Sequence, residues 1–151
     1  MEIAIGSDHA GVEIKKEMIA MLQESGFNPI DCGCYTDDSV DYPDIAEAVA
    51  AQVLSKNIFG IIICGTGIGI SIAANKIPGI KAALCTDPFS AEMARRHNDA
   101  NILALGARVS EMPIIKEIIS LFLATELEGG RHQRRVDKIN AIEKKYRERC
   151  C

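Results

Sequence analysis

The chain has 151 residues, of which 48% are hydrophobic and 25% charged, with a formal net charge of −4. That length favours one domain with a real core. The acidic balance, the scarcity of aromatics and the lack of tryptophan argue against a nucleic-acid-binding surface.

No run approaches the length of a membrane span. Met1-Glu2 leads straight into Ile3-Ala4-Ile5, without the basic and apolar segments of an export signal. The six cysteines, Cys32, Cys34, Cys64, Cys85, Cys150 and Cys151, show no paired CxxC spacing. A core of this size needs no disulfide staples. The expected setting is therefore a reducing cytoplasm, with neither nucleic acid nor membrane as partner.

Short β-type runs alternate with helical patterns. Residues Glu2–Gly6 read as a strand, and Gly11–Glu24 as a helix with Val12, Ile14, Met18, Ile19 and Leu22 roughly on one face. Asn28–Cys32 reads as a second strand. Asp41-Tyr42-Pro43-Asp44 opens a helix over Ile45–Leu54. Phe59–Cys64 is the most apolar strand, expected at the centre and covered on both faces. A helix over Gly69–Lys76 follows, then a strand over Ile80–Cys85, a helix from Asp87-Pro88 to about His97, a strand over Asn101–Leu105 and a helix over Pro113–Ala124. This alternation implies βαβ units: a five-stranded, mainly parallel sheet in a three-layer α/β/α arrangement.

Sheets of this kind bind ligands at the carboxyl ends of their strands. At those ends stand Ser7-Asp8-His9, Cys64 with a glycine-rich turn, Asp87, and Gly106-Ala107-Arg108. The most distinctive is Cys64-Gly65-Thr66-Gly67-Ile68-Gly69. A dinucleotide loop would share Gly65 and Gly67 but lacks its third glycine, since Ile70 or Ile72 stands there. A phosphatase loop needs an arginine where Ile70 stands, and a CxxC redox site needs a thiol at Gly67. Zinc held by Cys64, His9 and His97 would lack the familiar close ligand pairs. The other reading is chemical: convergent N–H groups at a helix start stabilise a developing oxyanion and favour a thiolate, so Cys64 becomes a candidate base. Against it stands the inert role common for a cysteine at a buried strand end.

His9 and His97 have ordinary alternatives as well, a helix cap and a dipole-facing helix end. After Gly129-Gly130 comes Arg131-His132-Gln133-Arg134-Arg135, then a polar helix with a narrow apolar stripe at Val136, Ile139, Ile142 and Tyr146. Arg131 and Arg135 share one face of it. A basic cluster beside glycines, in an acidic protein, suits a small anion. This tail, 129–151, is expected either to lie on its own subunit or to pack across a dimer interface.

Five segments in order carry a resemblance over almost the whole chain: "GSDHAG" at 6–11, "DYPD" at 41–44, "CGTGIGISIAANK" at 64–76, "RRHNDANILALGARV" at 95–109 and "EGGRHQRRV" at 128–136. The chain resembles the ribose/galactose isomerase family, in its ribose-5-phosphate isomerase B branch. The resemblance implies a Rossmann-like α/β/α sandwich and a homodimer or dimer of dimers, with sites built from both chains. It implies interconversion of D-ribose 5-phosphate and D-ribulose 5-phosphate, in pentose phosphate metabolism, without metal or cofactor. By position, Cys64 resembles the base that moves the proton between C2 and C1, and His97 the group that opens the furanose ring. Part of the family uses a loop glutamate instead, and that position here is Ile68. Asp8, Thr66 and Asn98 resemble contacts to sugar and intermediate. His9, Arg131 and Arg135 resemble phosphate ligands, with Arg108 a further candidate for phosphate and Tyr42 for sugar. The turn Gly65, Gly67 and Gly69 would supply N–H donors to the enediolate oxygen. Two other readings stay open: an isomerase of a six-carbon sugar phosphate such as allose or galactose 6-phosphate, and a non-catalytic module binding a nucleotide or phosphorylated effector.

Overall fold

The computed structural model describes residues 1–148. Cys150, Cys151 and the end of the expected tail segment lie outside the described residues. In chain order the elements are β1 (Glu2–Ser7), a short 3-10 turn (His9–Gly11), α1 (Val12–Glu24), β2 (Asn28–Asp31), α2 (Tyr42–Lys56), β3 (Phe59–Cys64), α3 (Ile68–Ala74), β4 (Ala82–Leu84), α4 (Pro88–Asn98), β5 (Ile102–Gly106), α5 (Met112–Ala124) and α6 (Arg131–Arg147). All strand pairings are parallel, in the order β2-β1-β3-β5-β4.

Side chains alternate across the sheet with period two. Ile3, Ile5, Ile61, Ile63, Leu103 and Leu105 face one way and pack with Met18 and Leu22 of α1 and Ile115, Ile118 and Phe122 of α5. Ala4, Ile62, Cys64, Ile102 and Ala104 face the other way, against Val49 and Val53 of α2 and Ile70 and Ala74 of α3. Helices therefore cover both faces, as the sequence predicts, and the central strand is the expected Phe59–Cys64. Burying each isoleucine of that strand contributes about 1.5–3 kcal/mol, so the centre of the sheet is the rigid part of the molecule.

Element boundaries shift where side chains compete with the backbone. β4 is shorter than the run Ile80–Cys85; just before it, Asn101 Oδ1 accepts the Lys81 N–H at 2.8 Å. α2 begins at Tyr42, earlier than Ile45, because Pro43 fits the first helical turn. α6 lies on α4 of its own chain, and Glu143 accepts the Gly79 N–H at 3.0 Å. Of its apolar stripe Val136 is buried, whereas Ile139, Ile142 and Tyr146 are exposed. Among the described residues no helix is long and apolar enough to cross a membrane.

Candidate active site

The chain leaves β1 in one direction to reach β2 and returns on the other side to β3, so the strand order reverses between β1 and β3. A crevice outside the carboxyl ends of the strands is expected at such a reversal. Ser7 pairs in register with Ile63, and the Asp8 N–H donates to the Ile63 carbonyl at 3.0 Å. Asp8 and Cys64 therefore leave neighbouring strand ends side by side.

Asp8 is buried, and its carboxylate accepts the Ala10 N–H at 2.9 Å, which caps the short turn behind it. His9 Nδ1 accepts the Val40 N–H at 3.4 Å. In a neutral ring that leaves the proton on Nε2, free to donate outward. The connection carrying Val40 is anchored by Lys15, an almost fully buried lysine that donates to Asp31 Oδ1 at 2.6 Å and to the Cys34 carbonyl at 2.8 Å.

Cys64 is 5% exposed, and its sulfur accepts the Gly67 N–H at 3.1 Å. That bond needs the sharp turn made by Gly67, whose φ is +77°. A side chain there would also start 2.5 Å from Leu84 Cδ1 and 2.9 Å from the Leu105 carbonyl carbon. Thr66 is exposed, with Oγ1 accepting the Ile68 N–H at 3.4 Å. α3 begins at Ile68, so its first N–H groups have no intrahelical partner. Of the amides expected to serve as oxyanion donors, the Gly67 N–H is thus directed at the thiol. Tyr42 packs on Gly69, its Oη 2.8 Å from where a side-chain carbon would stand. Arg108 reaches back over Gly65, its Nη1 3.6 Å from the equivalent point. β5 holds the turn from below, with Ala107 N–H on the Cys64 carbonyl at 2.8 Å and Arg108 N–H on the Gly65 carbonyl at 3.0 Å.

A second group forms where α4 meets the start of α6. The rings of His97 and His132 stack with centroids 3.9 Å apart and planes within 7°. Arg131 Nε donates to His132 Nε2 at 3.2 Å. Glu128 lies 3.9 Å from His97 Nε2 and 4.0 Å from His132 Nε2, and is held by Arg96 at 2.7 Å. That arginine keeps the Glu128 carboxyl below the usual carboxylate range. Burial, with His97 and Arg131 beside it, pushes the His132 imidazole below its ordinary 6.5. Arg131 and Arg135 are exposed on α6, and Asn98 ends α4.

Among the described residues no hydrogen bond, ion pair or ring contact joins the Cys64 group to the His97 group. The cluster closest to metal-binding geometry is His97, Glu128 and His132, with ligand atoms within 4.8 Å. Its two rings are stacked, with Arg131 on His132 Nε2 and Arg96 on the Glu128 carboxylate. The grouping of Cys64, His9 and His97 is not brought together as a metal cluster. Asp87, placed for a ribose hydroxyl on a dinucleotide reading, accepts the Ser90 N–H at 2.8 Å and caps α4. Sequence reasoning missed Lys15, Glu128 and His132; for His132 the signal was its place in "EGGRHQRRV".

The family model described as Ribose/Galactose Isomerase matches residues 3–139. The chain belongs to that family. It is 48% identical over 145 residues to ribose-5-phosphate isomerase B of Escherichia coli, covering 95% of this chain and 97% of that one. It is similar in structure to ribose-5-phosphate isomerase B of Clostridium thermocellum, with a TM-score of 0.94 and 53% identity over 97% of this chain and 99% of that chain. It is also similar to ribose-5-phosphate isomerase B of Mycoplasma genitalium, solved with bound ribulose-5-phosphate, with a TM-score of 0.90 and 44% identity over 95% of this chain and 96% of that chain.

Proposed function

We propose that the protein interconverts D-ribose 5-phosphate and D-ribulose 5-phosphate in the cytoplasm through an enediolate. The observation that carries this reading is the Cys64 sulfur at the end of β3, held by the Gly67 N–H beside the start of α3. An aldose–ketose isomerase must remove a proton next to a carbonyl while stabilising charge on the carbonyl oxygen, and these two demands fall on adjacent atoms.

The first step opens the ring. His97 gives a proton to the ring oxygen, and the C1 hydroxyl loses its own as the aldehyde forms. The Cys64 thiolate then takes the C2 proton, and the electron pair moves into the enediolate, whose oxygen is met by Thr66 and the amides of α3. The thiol returns the proton to C1, and proton transfer between the two oxygens leaves the ketose. Asp8, Tyr42 and Asn98 hold the sugar hydroxyls. His9, Arg131 and Arg135, with Arg108, hold the phosphate, whose binding energy positions carbons remote from it.

These roles need both groups of residues around one sugar. The reading therefore includes a homodimer in which the His97 group of one copy completes the Cys64 group of the other. The exposed apolar side chains Leu84, Phe89, Ile139, Ile142 and Tyr146 line an open groove of about 1080 Å³ along α6 and support a surface that a second copy covers.

The test is a coupled isomerase assay on ribose 5-phosphate and allose 6-phosphate, with and without chelator. Turnover of the pentose phosphate that survives chelation is expected. A preference for the hexose phosphate would move the substrate to the six-carbon class, and nucleotide binding without turnover of either sugar would leave a binding module.

A further inference from the structure

The segment Arg131-His132 holds one residue that the proposed reaction does not use. His132 is 3% exposed, buried at the first turn of α6, and its N–H donates to the Gly129 carbonyl at 3.0 Å. Its Nε2 is occupied by Arg131 at 3.2 Å, while its Nδ1 is buried with no hydrogen-bond partner. Neither nitrogen is placed to reach a substrate. What it presents is a flat face, covering the His97 ring at 3.9 Å with planes within 7°. The His97 side chain keeps 33% of its surface exposed.

We infer that His132 is a positioning residue whose ring face fixes the plane of His97, so that the His97 nitrogens point at the ring oxygen of a closed sugar. The inference rests on the reading of His97 as the ring-opening group. A half-exposed histidine on its own can turn about its side-chain bonds, and ordering it costs entropy at every turnover. A parallel ring in van der Waals contact removes that freedom and leaves the nitrogen edge open. His132 is itself immobilised by burial and by Arg131, so the platform does not move with its load. The same contact serves both states that a proton shuttle must visit. A neutral aromatic face attracts an imidazolium above it, and it packs equally well on the neutral ring. Glu128 stands near both histidines without reaching hydrogen-bond distance to either, and its carboxylate is directed to Arg96.

The experiment separates ring opening from proton transfer. Ribulose 5-phosphate is an open-chain ketose phosphate, and exchange of its C1 hydrogen with D2O needs only the base and the enediolate donors. Conversion of ribose 5-phosphate needs ring opening as well. His132→Ala should lower ribose 5-phosphate conversion by roughly ten- to hundredfold, the range set by a small misplacement of a catalytic group, while C1 exchange on ribulose 5-phosphate stays near the parent rate. Retained exchange in the same sample shows that the variant is folded. His132→Phe, which keeps a flat face without nitrogens, should recover most of the lost conversion. His132→Asn, which keeps polar atoms without the face, should not. Unchanged conversion in His132→Ala, equal loss of conversion and exchange, or rescue by Asn and not by Phe would each overturn the inference. His97→Ala is run alongside. If it loses exchange as severely as conversion, the ring-opening role of His97 fails first; if it is selective and His132→Ala is not, only the role of His132 fails.

Discussion

The Gly67 amide donates to the Cys64 sulfur across 3.1 Å, inside a turn that only a glycine at 67 can make. A backbone N–H aimed at sulfur fixes the direction in which the side chain points. Under the proposed reading that oriented sulfur is the base, and its removal is the cleanest test of the chemistry.

Cys64→Ala should fold as the parent does and lose both ribose 5-phosphate turnover and C1 exchange on ribulose 5-phosphate. Alkylation by a small thiol reagent should inactivate the parent, and substrate should protect it. Burial pushes the Cys85 thiol up to about 11, so it stays protonated and slow to react at neutral pH. Cys150 and Cys151 are replaced by serine beforehand, so that mass spectrometry of the labelled protein has only to separate Cys64 from Cys32, Cys34 and Cys85. Turnover like the parent's in Cys64→Ala would remove the thiol from the mechanism.

Gly106 tests the support beneath the turn. A side-chain carbon there would start 2.7 Å from the Thr66 carbonyl oxygen and 2.8 Å from its carbon, both backbone atoms that cannot rotate away. Gly106→Ala should cost about 1–3 kcal/mol of stability, the usual scale of overpacking. It should also lower kcat by roughly a hundredfold through displacement of Thr66. Urea unfolding and steady-state kinetics separate the two effects. A variant that loses stability but keeps kcat would show that the position of the Thr66 backbone is not critical.

His97→Ala should harm substrates that arrive as rings. A four-carbon aldose 4-phosphate cannot close a furanose, so its isomerisation bypasses ring opening. The ratio of kcat/KM between ribose 5-phosphate and the four-carbon substrate should fall in the variant. A ratio equal to the parent's would assign His97 to another step.

Arg131→Ala with Arg135→Ala removes the exposed charges of α6 proposed to hold the phosphate. Each charge-assisted contact contributes roughly 1.5–3 kcal/mol, so KM should rise on the order of a hundredfold or more. Inorganic phosphate should inhibit the parent competitively and the double variant much less. Unchanged KM together with unchanged phosphate inhibition would leave the two arginines as a solvated basic face.

The His132 imidazole, held below its ordinary 6.5 chiefly by burial, couples folding to pH. The unfolded chain binds a proton there at a higher pH than the folded chain does. Stability from this group is therefore fully present above 6.5 and declines as pH falls through the lower folded value. The Tm of the parent should drop on acidification below neutrality, and His132→Phe should flatten that part of the profile. Equal slopes in the two proteins would place the acid sensitivity elsewhere.

The sheet was legible because its central strands are apolar on both faces, so Phe59–Cys64 was placed as observed and Asn101–Leu105 within one residue of the observed Ile102–Gly106, without long-range information. The loop after β3 was legible because glycines at a strand end have few other uses. Lys15 was not, since a lysine reads as a surface residue and its burial depends on Asp31 and the Cys34 carbonyl, both remote in sequence. The observed β4 starts later than the apolar run Ile80–Cys85 suggests, because the Lys81 amide is taken by the Asn101 side chain, a bond that carries no periodicity. The stack of His97 on His132 depends on α6 folding back along α4, a tertiary fact that a polar helix pattern does not encode.

Within one chain, no bond or ring contact among the described residues connects the Cys64 group to the His97 group. Under the proposed dimer this separation has a genetic consequence. A chain defective at Cys64 and a chain defective at His97 are each dead as homodimers. A hybrid of the two places both lesions in one of its sites and leaves the other site intact. Two inactive alleles expressed together would then complement each other, and a cell carrying both would grow on a pentose that neither allele alone can support.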